Sequence, residues 1–364
     1  MTSSLRLSLL ISCLAATAWS RELPKPSTPA QTELYKQQGR TLPQPEVLQP
    51  TLDPKLAAFE PQGDRNATAH YRAAASDVLA LLSKSWVKAF QKYYPNVAID
   101  IPPPYAGSLG ALELIKGDLD FVFVSRELKP SDISGFHKKF GYDPSSTPIM
   151  GGSFRHYGFL DSIDFAVNPA NPISHLSFKQ LDQILSSTHV RGGEAITTWG
   201  QLGLTGEWAD KPIHVWAVKP WNGFEEFVRE RVLSVGNSRG EWRPDLNFVE
   251  TVFPIDPHVS QDKYAIGYAG RAYLGDDVKL ISLTPEEGGP TLAPDYDEVA
   301  RAEYPLSRVV YFNMNRNPAK PVDPIVHEFL RFILSREGQQ VVLDQAIYLP
   351  LRAEQAEKSL ASLQ

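Results

Sequence analysis

The sequence predicts an α/β protein of two lobes, each lobe a mostly parallel sheet flanked by helices, with a two-strand hinge between them. Helical and strand patterns alternate along the chain from residue 78 onwards, which is typical of parallel sheets covered by helices. About 300 residues follow a proline-rich N-terminal region, enough for two medium-sized hydrophobic cores.

The first predicted elements lie between residues 78 and 124. Apolar side chains recur at helical spacing from Val78 to Tyr93, and Pro95 ends this helix. A strand over 97–101, a short helix over 108–116 and a buried strand over 121–124 follow. This order indicates parallel strand pairing.

The alternation continues in the second half of the chain. It predicts a strand over 159–167, a helix over 176–185, a strand over 213–218, a helix over 224–233 and a strand over 264–268. Two crossings between lobes are expected near 160–166 and 264–268. They divide the chain into a first lobe of residues 66–163 and 267–350, a second lobe of residues 164–266, and a C-terminal tail of residues 351–364.

Residues 1–20 have the layout of a secretory signal peptide. Arg6 precedes an apolar run over 7–18, with small residues at its end. We therefore expect a periplasmic or secreted protein. The only cysteine, Cys13, also fits a lipobox, so a lipid-anchored form is the alternative. No later apolar run approaches the ~20 residues that a bilayer requires.

Residues 21–65 contain eight prolines and few large apolar groups, which predicts an extended tether. The net charge of the whole chain is −6, and no basic stripe is present. Nucleic acid is therefore not expected as a partner, because nothing would neutralise its phosphates. A single small anion is still allowed, since local donors decide its binding.

Three places in the chain suit an anion held at the N-terminus of a helix, where unpaired N–H groups and the helix dipole favour negative charge. They are Ser76, the pair Gly107-Ser108, and the pair Asn222-Gly223. Taken singly, each of these polar residues also fits an ordinary N-cap, and this alternative stays open.

A fourth candidate, Ser125-Arg126, directly follows the predicted strand over 121–124. The arginine offers a planar set of donors that suits a tetrahedral oxyanion, and ligands of open α/β sheets bind at the carboxyl ends of strands. The alternative is a surface arginine paired with Glu127 or Asp120.

These motifs, in this order, resemble the periplasmic phosphate-binding proteins that feed ABC importers, members of the type II periplasmic-binding-protein superfamily. Further matching stretches are 117–129, 168–172, 199–203, 265–268, 304–315, 327–340 and 348–351. The resemblance implies a cleft that closes over phosphate or a related small oxyanion. Its expected ligand-binding residues are Ser76, Gly107, Ser108, Ser125, Arg126, Asn222 and Gly223. It also implies an ABC permease in the inner membrane as partner, a monomer, no cofactor and no enzymatic activity.

Two positions depart from the family's pattern. The family often places an aspartate near Ser125, where it would accept the proton of hydrogen phosphate and repel sulfate. The third loop reads Lys219-Pro-Trp-Asn-Gly-Phe224 in place of an arginine followed by Ser-Gly-Thr. Glu225 and Glu226 follow it, and a like charge at ~4 Å costs about 1 to 4 kcal/mol. A bulkier or less charged ligand, stacked on Trp221, is therefore the alternative.

Other chemistries find little support in the sequence. The eight histidines include no pair at i, i+4, so no metal site is expected. The sequence around Ser108 lacks the first glycine of a nucleophile elbow, and no Gly-Lys-Ser/Thr phosphate loop occurs. The second functional hypothesis keeps the fold and drops transport: an extracytoplasmic sensing or protein-interaction module, which the altered third loop and the tether favour.

Overall fold

The computed structural model describes residues 50–103, 107–156, 159–220 and 223–363, and for residues 107–111 the backbone alone. The predicted signal peptide, Cys13, most of the predicted tether, Trp221 and Asn222 lie outside the described residues.

The described elements alternate between strands and helices. The strands are β1 (Ala69–Ala75), β2 (Val97–Asp100), β3 (Phe121–Val124), β4 (Ser145–Gly151), β5 (Ile163–Val167), β6 (His175–Ser177), β7 (His214–Val218), β8 (Asn247–Val249), β9 (Ala265–Gly270), β10 (Lys279–Leu280), β11 (Ser282–Thr284) and β12 (Val309–Met314). The α-helices are α1 (Ala80–Phe90), α2 (Gly107–Lys116), α3 (Pro130–Phe140), α4 (Phe178–Leu185), α5 (Gly223–Val228), α6 (Ile255–Gln261), α7 (Tyr296–Ala300), α8 (Pro324–Ile333), α9 (Arg336–Leu343) and α10 (Ala353–Ala361). A π-helical turn over Arg229–Leu233 continues α5.

Two five-stranded sheets form the two lobes. The first has the order β2-β1-β3-β12-β4 and the second β10-β5-β9-β7-β8, while β6 and β11 form a separate pair. In the first sheet β1 is parallel to β2 and β3, and β12 is antiparallel to β3 and β4. In the second, β9 and β7 and then β7 and β8 are parallel, and the pairs of β5 are antiparallel. The two-lobed α/β prediction is confirmed, with parallel pairing in half of each sheet.

Aromatic side chains fill the core of the first lobe. Trp86 and Phe90, on the buried face of α1, are both 0 % exposed. The Trp86 ring stacks on Phe123 of β3 at 5.8 Å, and Phe121 stacks on Phe312 of β12 at 4.6 Å. Full burial of each such side chain contributes about 1.5 to 3 kcal/mol. The helical spacing of these residues therefore reflects core packing.

Several element boundaries differ from the sequence predictions. The strand predicted over 159–167 begins at Ile163, and the helix predicted over 176–185 begins at Phe178, because β6 pairs with β11 just before it. The strand predicted over 264–268 runs from Ala265 to Gly270. Strand β1 was not predicted. The helices around 80–90 and 107–116 and strand β3 are confirmed.

The second lobe extends further along the chain than predicted. Residues 267–306 were assigned to the first lobe, but β9 and β10 belong to the second sheet. Leu283 and Leu306 are buried in the same core as Phe165 of β5. The reason is that β9 pairs antiparallel with β5 over its length, so the chain stays in the second sheet. Strand β12 then returns to the first.

Residues 50–63, here called the strap, pack on the first lobe and correct the prediction that 21–65 is a tether. Phe59 is 7 % exposed, and its ring lies 5.0 Å from that of Tyr93 and 5.3 Å from that of Phe332. The backbone N–H of Phe59 donates to Glu337 at 2.6 Å. The prolines prevent regular secondary structure here, but they do not prevent docking of single apolar side chains.

The C-terminal residues, predicted as a tail over 351–364, form helix α10. Ala356 and Leu363 are buried in the first lobe's core. The N–H of Ala353 donates to Asp53 of the strap at 3.0 Å, which joins this helix to the strap. Within the part of the chain described here, no helix has both the length and the apolar character needed to cross a bilayer.

Candidate functional site: a cleft between the lobes

A cavity of about 510 Å³, here called the cleft, lies between the two lobes. Its first wall is the loop after β3, from Ser125 to Lys129, together with Arg308 just before β12. Its second wall is α5 with the turn that follows, from Gly223 to Ser234. Both lobes thus supply residues to one space, as a ligand-enclosing fold requires.

Ser76 lies beneath the cleft and supports Ser125. It is 0 % exposed, and its hydroxyl lies 3.4 Å from the carbonyl of Phe123, to which it donates. The Ser76 Oγ in turn accepts from the N–H of Ser125 at 3.3 Å and from its hydroxyl at 3.4 Å. The two predicted serines therefore meet, but only Ser125 lines the cleft. The side chain of Ser76 makes no N-cap hydrogen bond.

Arg126 lines the cleft, and its guanidinium is already paired. One Nη1 group donates to Asp132 Oδ2 at 2.8 Å and to the carbonyl of Glu127 at 2.7 Å. Asp132 lies in the first turn of α3 and also accepts from the N–H of Lys129 at 3.0 Å. The partner is thus not one of the two carboxylates weighed in the sequence, and the pairing leaves Nε without a partner among the described residues.

The remaining predicted residues are Gly107, Ser108, Asn222 and Gly223. Gly107 and Ser108 form the first turn of α2, as expected for a loop leading into a helix, but their side chains lie outside the description. Asn222 is not among the described residues. Gly223 begins α5 and lines the cleft. A Cβ added at Gly223 would meet no atom of the described residues within 4 Å.

Two ion pairs cross the cleft. Lys129 of the first lobe pairs with Glu226 of α5, and Glu127 pairs with Arg231 at 2.8 Å. Burial raises the pKa of Glu226, but the hydrogen bond and charge of Lys129 outweigh it and hold the pKa below its ordinary value. The negative charge expected to repel an anion is therefore neutralised by the opposite lobe.

The other acidic residue of this turn, Glu225, faces the interior of the second lobe. It is 0 % exposed, accepts from Trp242 Nε1 at 2.6 Å, and lies 2.9 Å from Arg229 Nε. A buried, paired carboxylate in the first turn favours the helix terminus electrostatically. Lys219, the first residue of the third loop, pairs with Glu250 on the surface and does not line the cleft.

Arg308 is a cleft residue that sequence reasoning missed. Its Nη2 lies 3.4 Å from the carbonyl of Ser125, and its guanidinium carbon lies 4.3 Å from the centroid of the Phe227 ring in the other lobe. Burial lowers the pKa of Arg308 to about 10, and the nearby charges of Arg231 and Arg126 act in the same direction. It stays protonated at neutral pH. The stretch 304–315 matches the family in sequence, but no local motif in it indicates that the side chain of Arg308 would line a cleft.

The described residues include no group of three or more His, Cys, Asp or Glu side chains placed to hold a metal ion. The cleft instead offers hydroxyl, guanidinium and backbone donors. Such a donor set suits an oxyanion.

The fold and the cleft between two lobes define a two-lobed binding protein, and comparisons agree. The profile of the PBP superfamily domain matches residues 60–337. Among solved structures, PstS from Borrelia burgdorferi has a TM-score of 0.56 at 17% identity, covering 78% of this chain and 99% of that one. A possible phosphate binding protein from Planctomyces limnophilus has a TM-score of 0.51 at 20% identity, covering 82% and 98%. These similarities show the fold.

The sequence comparison is more specific. The phosphate-binding protein PstS of Pseudomonas aeruginosa is 33% identical over 314 residues, which cover 86% of this chain and 92% of that protein. The chain therefore belongs to the PstS family of the PBP superfamily.

Proposed function

We propose that this protein is the extracytoplasmic solute-binding protein of an ABC importer and that it binds phosphate or a related small oxyanion in the cleft. The observation that carries the proposal is the convergence of donors from both lobes on one space: Ser125, Arg126 and Arg308 on one side, and the N-terminus of α5 at Gly223 on the other. Backbone N–H groups at a helix terminus and guanidinium groups are the usual donors for oxyanions.

This geometry supports distinct roles for the predicted residues. Ser125, Arg126 and Gly223 contact the ligand, and Ser76 positions Ser125 through its hydroxyl. The cleft volume of about 510 Å³ lies within the roughly 300–1,000 Å³ of sites for organic ligands, so phosphonates and phosphate esters belong to the ligand class. Gly107, Ser108 and Asn222 complete the set as further donors.

The proposed role in transport is based on the family to which the chain belongs. The relative from Pseudomonas aeruginosa is a phosphate-binding protein, and the same ligand is proposed here. A monomer in the periplasm would pass the oxyanion to an inner-membrane ABC permease. Export by the segment over 1–20, with a lipid anchor at Cys13 as the alternative, belongs to this proposal.

Ligand binding is tested by calorimetry and thermal unfolding of the mature protein with phosphate, sulfate and methylphosphonate, using chloride at equal ionic strength as the control. A ligand at 100 times its Kd stabilises the folded state by about 2.7 kcal/mol. Gly223→Asp adds a carboxylate to the cleft lining at the first residue of α5 and should abolish this stabilisation. Ala319→Asp adds the same charge on an exposed turn outside the cleft lining and should leave binding unchanged.

A second function keeps the fold without transport: a sensing or protein-interaction module. This second function is favoured because most of the cationic side chains of the cleft already pair with carboxylates. The absence of any response to all three oxyanions would refute the importer proposal and support this module.

A further inference from the structure

Four cationic side chains line the cleft, and three of them face a carboxylate. These pairs are Arg126–Asp132, Lys129–Glu226 and Arg231–Glu127. Arg308 is the fourth cation, and no carboxylate of the described residues lies at ion-pair distance from it. Its charge is thus not compensated by a direct partner.

The donors of Arg308 are also largely unused. A guanidinium carries five N–H donors in a planar fork. Here Nη2 has one long bond to the Ser125 carbonyl, and Nε has no partner among the described residues. The ring of Phe227 covers one face of the group, so only its edge is free to bond. Unsatisfied buried donors are costly, and an oxyanion at this edge would satisfy them.

We propose, resting on the function proposed above, that Arg308 is the principal anion-binding residue of the cleft and that the cleft selects its ligand by charge, taking the dianions phosphate and sulfate alike. Arg308 thereby replaces the arginine that the third loop lacks, where Lys219 turns to Glu250 at the surface.

The expectation that phosphate and sulfate bind alike rests on the hydrogen-bond acceptors of the cleft. Discrimination against sulfate requires a free acceptor for the proton of hydrogen phosphate. Glu127 already accepts from Tyr311 at 2.8 Å and pairs with Arg231, while Glu226 pairs with Lys129. Ser125, at the position where the family often has an aspartate, can itself donate. The third carboxylate of the lining, Glu230, lies 3.6 Å from Arg239 Nη1. The described cleft therefore offers donors and charge, and each of its three carboxylates faces a cation.

If the cleft selects its ligand by charge, phosphate affinity should depend on pH because the ligand itself titrates. Arg308 remains protonated between pH 6 and 8, the range in which phosphate passes from a monoanion to a dianion, while sulfate stays a dianion. The charged groups that act on Arg308 are Arg126 and Glu127 in the first wall, Arg231 in the second, and Asp161 before β5. A titration of any of these groups would change sulfate binding as well, so sulfate serves as the internal control.

The experiment is isothermal calorimetry of the full mature chain with inorganic phosphate and with sulfate at pH 6 and pH 8. We expect phosphate to bind more tightly at pH 8 and sulfate to bind equally at both. Arg308→Met should weaken both anions by about 10- to 100-fold, as expected for loss of a hydrogen bond to a charged group. Arg308→Lys keeps the charge but loses the fork, so it should fall in between. Arg301→Met, with a side chain 42% exposed and outside the cleft lining, should bind as the unmodified protein does.

The outcomes separate the two proposals. If the unmodified protein binds phosphate and Arg308→Met binds both anions as tightly, the role of Arg308 is refuted while the proposed function stands. If the unmodified protein binds no oxyanion, both proposals fall. Phosphate preferred over sulfate by more than tenfold at pH 8 would refute charge selection. If circular dichroism shows that Arg308→Met is unfolded, the affinity of Arg308→Lys decides, and an unchanged value refutes the role.

Discussion

Replacing Phe59 by alanine tests whether the strap is an integral part of the first lobe. Phe59 is 7 % exposed, and its ring contacts those of Tyr93, Phe90 and Phe332 at 5.0 to 6.5 Å. The guanidinium of Arg331 lies 5.8 Å from the ring's centroid. Phe→Ala substitutions in cores cost about 3 to 5 kcal/mol. Because Phe59 is not completely buried, we expect about 3 kcal/mol, the lower end of this range.

The assay is urea unfolding followed by circular dichroism and by tryptophan fluorescence, since two lobes can unfold in separate steps. The matched control is Phe253→Ala, because Phe253 is 66% exposed and its loss should change the free energy of unfolding by about 0.5 kcal/mol or less. A loss below about 1 kcal/mol for Phe59→Ala would show that the strap contributes little, and the tether expected from the sequence would then extend through residue 63.

Further predictions concern charge. Burial raises the pKa of Asp164 to about 7, so between pH 4 and pH 7 the folded protein keeps a proton that the unfolded chain loses. The free energy of unfolding should therefore fall over this range. Asp164→Asn should flatten this slope in urea titrations at several pH values. Glu226→Gln removes a carboxylate beside the cleft and frees Lys129, so calorimetry should show several-fold tighter phosphate binding; weaker binding would contradict the anion assignment. Trp242→Phe leaves Glu225 without its 2.6 Å donor and should cost about 1 to 3 kcal/mol in urea unfolding.

Elements that bury their own periodic side chains could be predicted from the sequence. The helix carrying Trp86 and Phe90, and the four consecutive apolar residues of β3, are of this kind. Strand β1 is different: its alanines, His70 and Arg72 carry little periodic signal, and it exists because β2 and β3 pair with it on both sides. The pairing energy comes from partners that the local sequence does not show.

The candidate site divides in the same way. Ser125, Arg126 and Gly223, which line the cleft, could be proposed from the sequence because each belongs to a local motif next to a strand or helix end. Arg308 was missed because it reaches Ser125 from 183 residues away, through the pairing of β12 with β3. The ion-pair partners of the charged cleft residues, such as Asp132 for Arg126, could not be predicted either, because ion pairs depend on where helices pack.

The order of strands in the first sheet has a consequence for the order in which the chain can fold. Strand β12 lies between β3 and β4, yet it follows the entire second lobe in the chain. A polypeptide emerging N-terminus first can therefore complete its second lobe while the first sheet still lacks its fourth strand, with the unpaired edges of β3 and β4 exposed to other chains. Those two edges stay available to intermolecular pairing until residue 314 has emerged and β12 has paired with both of them.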